Sequence, residues 1–252
     1  MKILSWNVNG LRSVAKKGFL DWLNKTNPDI LCLQEIKSTL SDLTSDLIKP
    51  QGYFSFFNPA LKKGYSGVLI YSKKKPKEIK TKMGFKQFDE EGRFLELKYT
   101  DFSLINLYLP HGGRQKEKLP YKLEVYRYLL EYLKKRKKEK LILVGDFNIA
   151  HQEIDLARPK QNKNNIMFTA EERKQIDKLL GLGFLDSFRL FNQEGGHYSW
   201  WPYFANARQR NLGWRLDYAF INNALKKKIK NAFILNQVQG SDHCPIGLEI
   251  II

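Results

Sequence analysis

Polar residues stand at the ends of short apolar runs along nearly the whole chain, from Asn7 to His243. "KILSWNVNG" closes on Asn7 and Asn9, "DILCLQE" on Glu35, "SLINLYLPHGGR" on Tyr108, His111 and Arg114, and "LILVGDFN" on Asp146 and Asn148. "WRLDYAFI" carries Asp217 inside an apolar run, and "QGSDHCPIGLEI" places Asp242 and His243 at the mouth of the last one. Taken singly, each has a plain explanation: Gly-Asp, Asn-Gly and Ser-Asp form turns, and Glu35 could sit on the surface. Asp217 is harder to dismiss, because a carboxylate buried without a partner is costly and a histidine is a natural partner for it. Six strand ends supply carboxylates, amides, a phenol and an imidazole, with no serine or cysteine nucleophile motif. Such a set fits a hard-metal phosphoester centre better than an acyl-transfer centre. Groups so far apart in the chain can meet only within one fold, so residues 1–252 are expected to form a single domain.

The apolar and alternating runs at 2–8, 30–34, 67–72, 93–99, 103–109, 141–145, 216–221, 232–235 and 245–251 predict strands. Helical spacing predicts helices near 18–25, 120–136 and 169–180. Pro120 stands in the first turn of the second, in which Leu123, Tyr126, Leu130 and Leu133 share a face. Thr169 and Glu172 open the third as a capping box. Strands outnumber helices and the two are mixed along the chain, which points to sheets packed with flanking helices in one α/β sandwich. No stretch is rich enough in Pro, Gly or Ser to be a linker, and no solenoid-like repeat is present.

With 252 residues, 42% of them hydrophobic, the chain can bury a full core. Its aliphatic runs are short, so no transmembrane helix is expected, and "MKILSWN" lacks the apolar length of a secretory signal. Cys32 and Cys244 make no disulfide framework and suit a reducing cytosol. A soluble cytoplasmic protein is the expectation, nucleoid-associated if prokaryotic. Charge says more about partners. Lysine and arginine number 43 against 26 acids, a formal +17. Such an excess favours a polyanion, because phosphate neutralisation supplies most nonspecific affinity for nucleic acid. Solvated lysine faces explain part of it: "KKRKK" at 134–138 closes a helix, where cations complement the dipole.

Seven motifs in order, "WNVNGLR" (6–12), "PDILCLQEIK" (28–37), "KGYSGV" (63–68), "NLYLPHGGR" (106–114), "GDFNIAHQEIDLARPK" (145–160), "NLGWRLDY" (211–218) and "GSDHCPIGLEI" (240–250), span nearly the whole chain. Together they resemble the exonuclease III type of apurinic/apyrimidinic (AP) endonuclease, within the endonuclease/exonuclease/phosphatase superfamily. "GDFN" alone is weak, but the ordered set with "LQE" and "SDH" is specific. The resemblance implies an α+β fold: a four-layer α/β sandwich, two mixed β-sheets packed face to face with flanking helices. It also implies a monomer that uses Mg²⁺, with Mn²⁺ as a substitute. The implied substrate is double-stranded DNA with abasic or damaged sites, cut 5′ to the lesion, with related activity on 3′ ends.

Residue by residue, the resemblance makes Glu35 the principal metal ligand and Asp146 the acceptor of the proton from the attacking water. Asn7 and Asn148 become orienting groups and Tyr108 a support for developing phosphate charge. His243 becomes the imidazole facing the phosphate, held protonated by Asp217. Asn9, Asp242, Asp146 and Asn148 fall around the metal. Arg12, Ser13, Lys17, Gly64, Tyr65, His111, Asn162 and Asn165 match positions that contact the DNA backbone, Arg114 a groove-inserting arginine and Phe204 a wedge. Trp200, Trp214 and Leu216 match the apolar pocket for a flipped-out baseless sugar. Three positions depart from the pattern. Asn9 stands where one branch has an acid, His111 replaces an amide, and Trp200 replaces a phenylalanine. Two other readings stay open at this point: a lipid or inositol-phosphate phosphoesterase of the same superfamily, and a non-catalytic nucleic-acid-binding protein on this fold.

Overall fold

The computed structural model describes residues 1–252. Twelve strands run along the chain: β1 (Lys2–Asn7), β2 (Ile30–Gln34), β3 (Phe54–Asn58), β4 (Val68–Ser72), β5 (Glu78–Lys80), β6 (Phe94–Lys98), β7 (Ser103–Tyr108), β8 (Leu141–Asp146), β9 (Phe184–Asp186), β10 (Asp217–Asn222), β11 (Ile229–Ile234) and β12 (Ile246–Ile250). The helices are α1 (Leu11–Ala15), α2 (Phe19–Thr26), α3 (Ser45–Ile48), α4 (Lys86–Glu90), α5 (Leu119–Lys134), α6 (Pro159–Asn162) and α7 (Ala170–Gly181). One six-stranded sheet has the order β11-β12-β1-β2-β4-β3 and the other β5-β6-β7-β8-β10-β9. Each holds one parallel pair at its centre, β1–β2 and β7–β8, among antiparallel neighbours.

Strand alternation sorts the apolar side chains into layers. Inward residues of both sheets, among them Ile30, Cys32 and Ile70 with Leu104, Ile142 and Ile221, share one core between the sheets. Outward residues such as Leu31 and Leu33 pack under Leu11, Phe19 and Leu23. On the far side Leu143 and Phe220 pack under Tyr126, Leu129 and Ile176. The result is the helix–sheet–sheet–helix sandwich expected from the sequence.

Local signals hold with one rotation. The Thr169 hydroxyl accepts from the Glu172 amide (3.2 Å), and the Glu172 carboxylate accepts from the Thr169 amide (3.0 Å). In α5 the buried stripe is Lys122, Val125, Tyr126, Leu129 and Leu133, with Leu123 and Leu130 only half-buried. The face turns toward Lys122 because that ammonium finds three partners inside the protein.

Register gathers the polar strand ends at one pole. Parallel pairing sets Tyr108 beside Asp146, and antiparallel pairing sets Asp217 opposite Asp146. Asn7 ends β1 next to Gln34 of β2. Gly145 has φ 139°, and a Cβ there would strike the Leu107 carbonyl, so only glycine lets β8 approach β7 one residue before Asp146.

Candidate active site

The Asn7 side-chain amide is the hub. It donates one hydrogen to Glu35 Oε1 (2.9 Å) and the other to Asp146 Oδ2 (2.9 Å), while its carbonyl accepts from the Asn9 amide (3.0 Å). Asn148 closes the other side of Asp146, its backbone N–H on Oδ1 (2.8 Å) and its side-chain amide on Oδ2 (3.2 Å). Asn9, Glu35, Lys37 and Asn148 all have φ near +50°. Such left-handed backbone costs about 1–3 kcal/mol per non-glycine residue and persists where surrounding structure enforces it, commonly at functional sites.

The charges at this pole are mutually dependent. Burial pushes the Asp146 carboxyl up to about 7, with Asp217 adding to the rise against the pull of His243. His243 Nδ1 lies 2.8 Å from Asp217 Oδ2, and Nε2 lies 3.8 Å from Asp146 Oδ2. Burial opposes the imidazolium, but Asp217 and Asp146 outweigh it and raise its pKa to about 10. Burial also opposes the Glu35 charge. Lys37 Nζ, 2.9 Å away, with the Asn7 amide and His243, overcomes it and holds the carboxyl below its ordinary range. Asp242, beside Asn9 (2.9 Å) and the Trp200 indole N–H (3.1 Å), is likewise lowered: burial opposes ionisation, and His243 with those two donors prevails. Asp217 is fixed from behind, since the Ser199 hydroxyl accepts from its backbone N–H (3.1 Å), and its Oδ1 is buried with no protein partner.

Tyr108 borders the same centre, its pKa driven well above the ordinary value by burial and by Glu35. The Arg93 guanidinium lies 4.3 Å from the Tyr108 ring and donates to the Tyr65 hydroxyl (2.8 Å), so Tyr65 joins the site through Arg93. His111 is lowered by burial and by Lys122. Lys122 is fully buried and donates to the carbonyls of His111 (3.1 Å) and Asn148 (2.6 Å) and to Glu172 (2.6 Å). Neither Arg93 nor Lys122 was singled out from the sequence. The available signal was a cation set in an apolar context, at the mouth of a strand and on the inner face of a helix.

Trp200 forms isolated bridges to Trp214 and to His243, and its ring centre lies 6.5 Å and 6.4 Å from theirs. Trp214 and Leu216 are buried with Ile166, Met167 and Phe168. Trp200 is half-buried, so an apolar wall opens directly beside the imidazole. Arg12, Ser13 and Lys17 line an open concavity of about 400 Å³ on α1, where Lys17 also donates to the Gly240 carbonyl (2.8 Å). Phe204 is 71% exposed next to Tyr203, whose hydroxyl reaches Asp242 Oδ1 (3.4 Å). Gly64 sits in the β3–β4 connection with φ 69°. Arg114, Asn162 and Asn165 stay outside the network. Arg114 is exposed, and the two asparagines bond to one another (3.0 Å) and to the backbone near α6.

Asp146, Asp217 and His243 present ligand atoms within 4.8 Å of one another and so offer a metal site. The imidazole there is held charged, with a hydrogen on both ring nitrogens and no lone pair for a metal, whereas the Glu35 carboxylate could hold one. Glu35 and Asn9 both turn oxygens onto the Lys37 ammonium, so they are already arranged around a cation. An all-oxygen set with one carboxylate suits a hard divalent ion that keeps several waters.

Residues 4–243 match the model of the Endonuclease/Exonuclease/phosphatase family. The exodeoxyribonuclease of Bacillus subtilis is 44% identical over 253 residues, covering 99% of both chains. A DNA-(apurinic or apyrimidinic site) endonuclease of Dictyostelium discoideum is 42% identical, covering 99% of this chain and 70% of that one. The solved structure of a 3′ phosphatase from Neisseria bound to a product DNA hairpin superposes with TM-score 0.91 at 29% identity over the whole of both chains. A match that runs from β1 to the imidazole leaves no part of the catalytic pole outside it, and the chain belongs to the Endonuclease/Exonuclease/phosphatase family.

Proposed function

We propose that the protein is a Mg²⁺-dependent DNA repair nuclease. It hydrolyses the phosphodiester 5′ to an abasic site in duplex DNA, leaving a 3′-hydroxyl and a 5′-deoxyribose phosphate, and also acts on 3′ ends. The observation that carries this reading is the Asn7 amide, which ties Glu35 to Asp146 beside the Asp217–His243 pair. Asp146 takes a proton from the attacking water, whose oxygen bonds to phosphorus as the bond to the 3′ oxygen breaks and that oxygen takes a proton from solvent water. Asn7 and Asn148 hold that carboxylate in place, and the imidazolium of His243 and the Tyr108 phenol meet the charge that develops on the phosphoryl oxygens. Glu35, with Asn9 and Asp242 nearby, would hold Mg²⁺, which when bound neutralises phosphate charge. His111 and the residues around α1, β3–β4 and α6 serve the DNA backbone, with Arg114 and Phe204 entering the grooves.

A monomer of one domain, acting in the cytoplasm, completes the reading, and no helix is long and apolar enough to cross a membrane. A duplex oligonucleotide with one abasic site, incubated with Mg²⁺ and with chelator, tests it. Metal-dependent incision to a 3′-hydroxyl is expected. Cleavage confined to lipid or inositol phosphates, or DNA binding without cleavage, would overturn it.

Two outcomes follow from the site. His243 must stay protonated, so activity falls as pH rises through its raised pKa of about 10. Asp217→Asn withdraws the charge that sustains the imidazolium, and the alkaline limb of the pH–rate profile should move to lower pH. A limb that stays put refutes the pairing. Trp200→Ala should widen the apolar wall and relax selectivity. Flipping a normal nucleotide costs a few kcal/mol of stacking and pairing, about what a snug pocket must refuse. The single-turnover rate on a duplex with the base should rise relative to the rate on the matched abasic duplex. An unchanged ratio in a variant that melts normally excludes Trp200 as a selectivity element.

A further inference from the structure

The strands place their acids and amides at one pole, and their opposite ends form a second pole of different chemistry. Its loops make a closed ring of hydrogen bonds. The Lys228 carbonyl accepts from the Ile251 amide (2.9 Å), the Met1 carbonyl from Ile250 (2.9 Å), the Lys2 carbonyl from Asp29 (2.9 Å) and the Asp29 carbonyl from Lys73 (3.0 Å). The Tyr99 hydroxyl donates to Ser72 Oγ (2.8 Å) and carries the ring across to the second sheet. There the Ser103 amide donates to the Lys140 carbonyl (2.9 Å), and the Asn222 side chain reaches the Glu139 carbonyl, leading back through residues 223–228.

Lysines stud this ring. Lys74, Lys75, Lys138, Lys140, Lys226 and Lys227 are exposed. The nearby ion pairs are made by other cations: Lys98 with Glu78 (3.9 Å), Lys134 with Glu131 (3.8 Å) and Arg136 with Glu96 (2.6 Å). Of the ring's acids, Asp29 is engaged by the Lys2 amide (2.7 Å) and Glu139 by Arg136 (2.6 Å), which leaves the exposed Asp101 as a single open carboxylate against six exposed lysines. Exposed ammonium groups gathered at one end of the fold, of which only Lys75 rests on an aromatic ring (Phe54, 5.0 Å), repel each other, and a polyanion relieves that repulsion while releasing its own counterions.

We propose that this pole is a second nucleic-acid surface, binding the phosphate backbone of a separate duplex segment while the catalytic pole holds the first. The protein can then pass between DNA segments without full release. The proposal rests on the nuclease reading for the first segment only, since the second surface binds backbone and cuts nothing.

The test uses the intact protein and a variant with Lys74→Gln, Lys138→Gln, Lys140→Gln, Lys226→Gln and Lys227→Gln. Two short duplexes carry different fluorophores. At roughly 50 mM salt the parent should bring them together, giving energy transfer that fades as salt rises. In the variant the transfer should vanish, and the slope of log affinity for nonspecific duplex against log salt should become shallower by roughly 3. Single-turnover incision of a short abasic duplex should be unchanged. A parent that binds one duplex only, a variant that pairs duplexes as the parent does, or a parent that prefers anionic phospholipid vesicles to a second duplex would each overturn it. Energy transfer without incision would instead sink the nuclease reading and leave the second surface standing.

Discussion

Asp146→Asn should lower the single-turnover rate of incision by ~10²–10⁴-fold, the usual loss with a general base. The substitution nearly preserves shape, but the site punishes it beyond the missing charge. Asp146 accepts from Asn7 and Asn148 on Oδ2 and from the Asn148 backbone on Oδ1. An amide must turn its NH₂ toward one of these donor sets, whichever way it flips. His243 also loses one of the carboxylates that keep it charged, leaving Asp217 and Asp242. The acidic limb of the parent's pH–rate profile, expected below about 7 from the raised Asp146 pKa and shifted lower where Mg²⁺ is bound beside it, should disappear in the variant. Binding of abasic duplex should persist, and a thermal melt separates lost chemistry from lost fold. Near-parental single-turnover rates would move the role elsewhere, with Asp242 the next carboxylate to test.

Glu35→Gln should remove most Mg²⁺-dependent turnover, by roughly 10²-fold or more, because metal neutralisation of phosphate charge supplies several kcal/mol. Glu35 stands where strand geometry, Asn7 and a left-handed backbone hold one carboxylate at the edge of the centre, with Lys37 showing how it receives a cation. Titrating Mg²⁺ against rate should show the variant needing far more metal for far less activity, with DNA affinity little changed. Chelation of the parent should reproduce the loss. Equal rates for variant and parent at limiting Mg²⁺ would refute Glu35 as the anchor.

Nine strands and three long helices were legible in the sequence because each carries a full apolar period. The strands that escaped it are β3, β5 and β9, and all lie at sheet edges. β5 (Glu-Ile-Lys) is exposed throughout and β3 is at most half-buried, so neither shows the buried alternation that marks a central strand. β9 has only three residues. Edge strands are held by one neighbour and by tertiary context, which local pattern does not record. The site was legible wherever a polar residue ended an apolar run. Arg93 and Lys122 escaped because their partners, Tyr65 with Tyr108 and Glu172 with the His111 and Asn148 carbonyls, lie far away in sequence.

The pairing of β1 with β12 also sets the order in which the proposed centre can assemble as the chain is made. β1 lies between β2 and β12, in register from Lys2↔Glu249 to Ser5↔Ile246. His243 enters the centre on the segment that leads into β12, and the Trp6 indole holds its carbonyl (3.1 Å). A nascent chain therefore exposes Asn7 and Glu35 early and Asp146 only past residue 145, all of them ahead of the imidazole that lies beside Asp146. β1 meanwhile waits with one open edge for a partner almost the whole chain away, a contact that forms late. A chain cut short before residue 243 would carry Asn7, Glu35, Tyr108 and Asp146 but neither the imidazole nor the strand β12 that flanks β1. On the proposed mechanism, the full set of charged groups around the phosphate is assembled only once β12 has closed against β1.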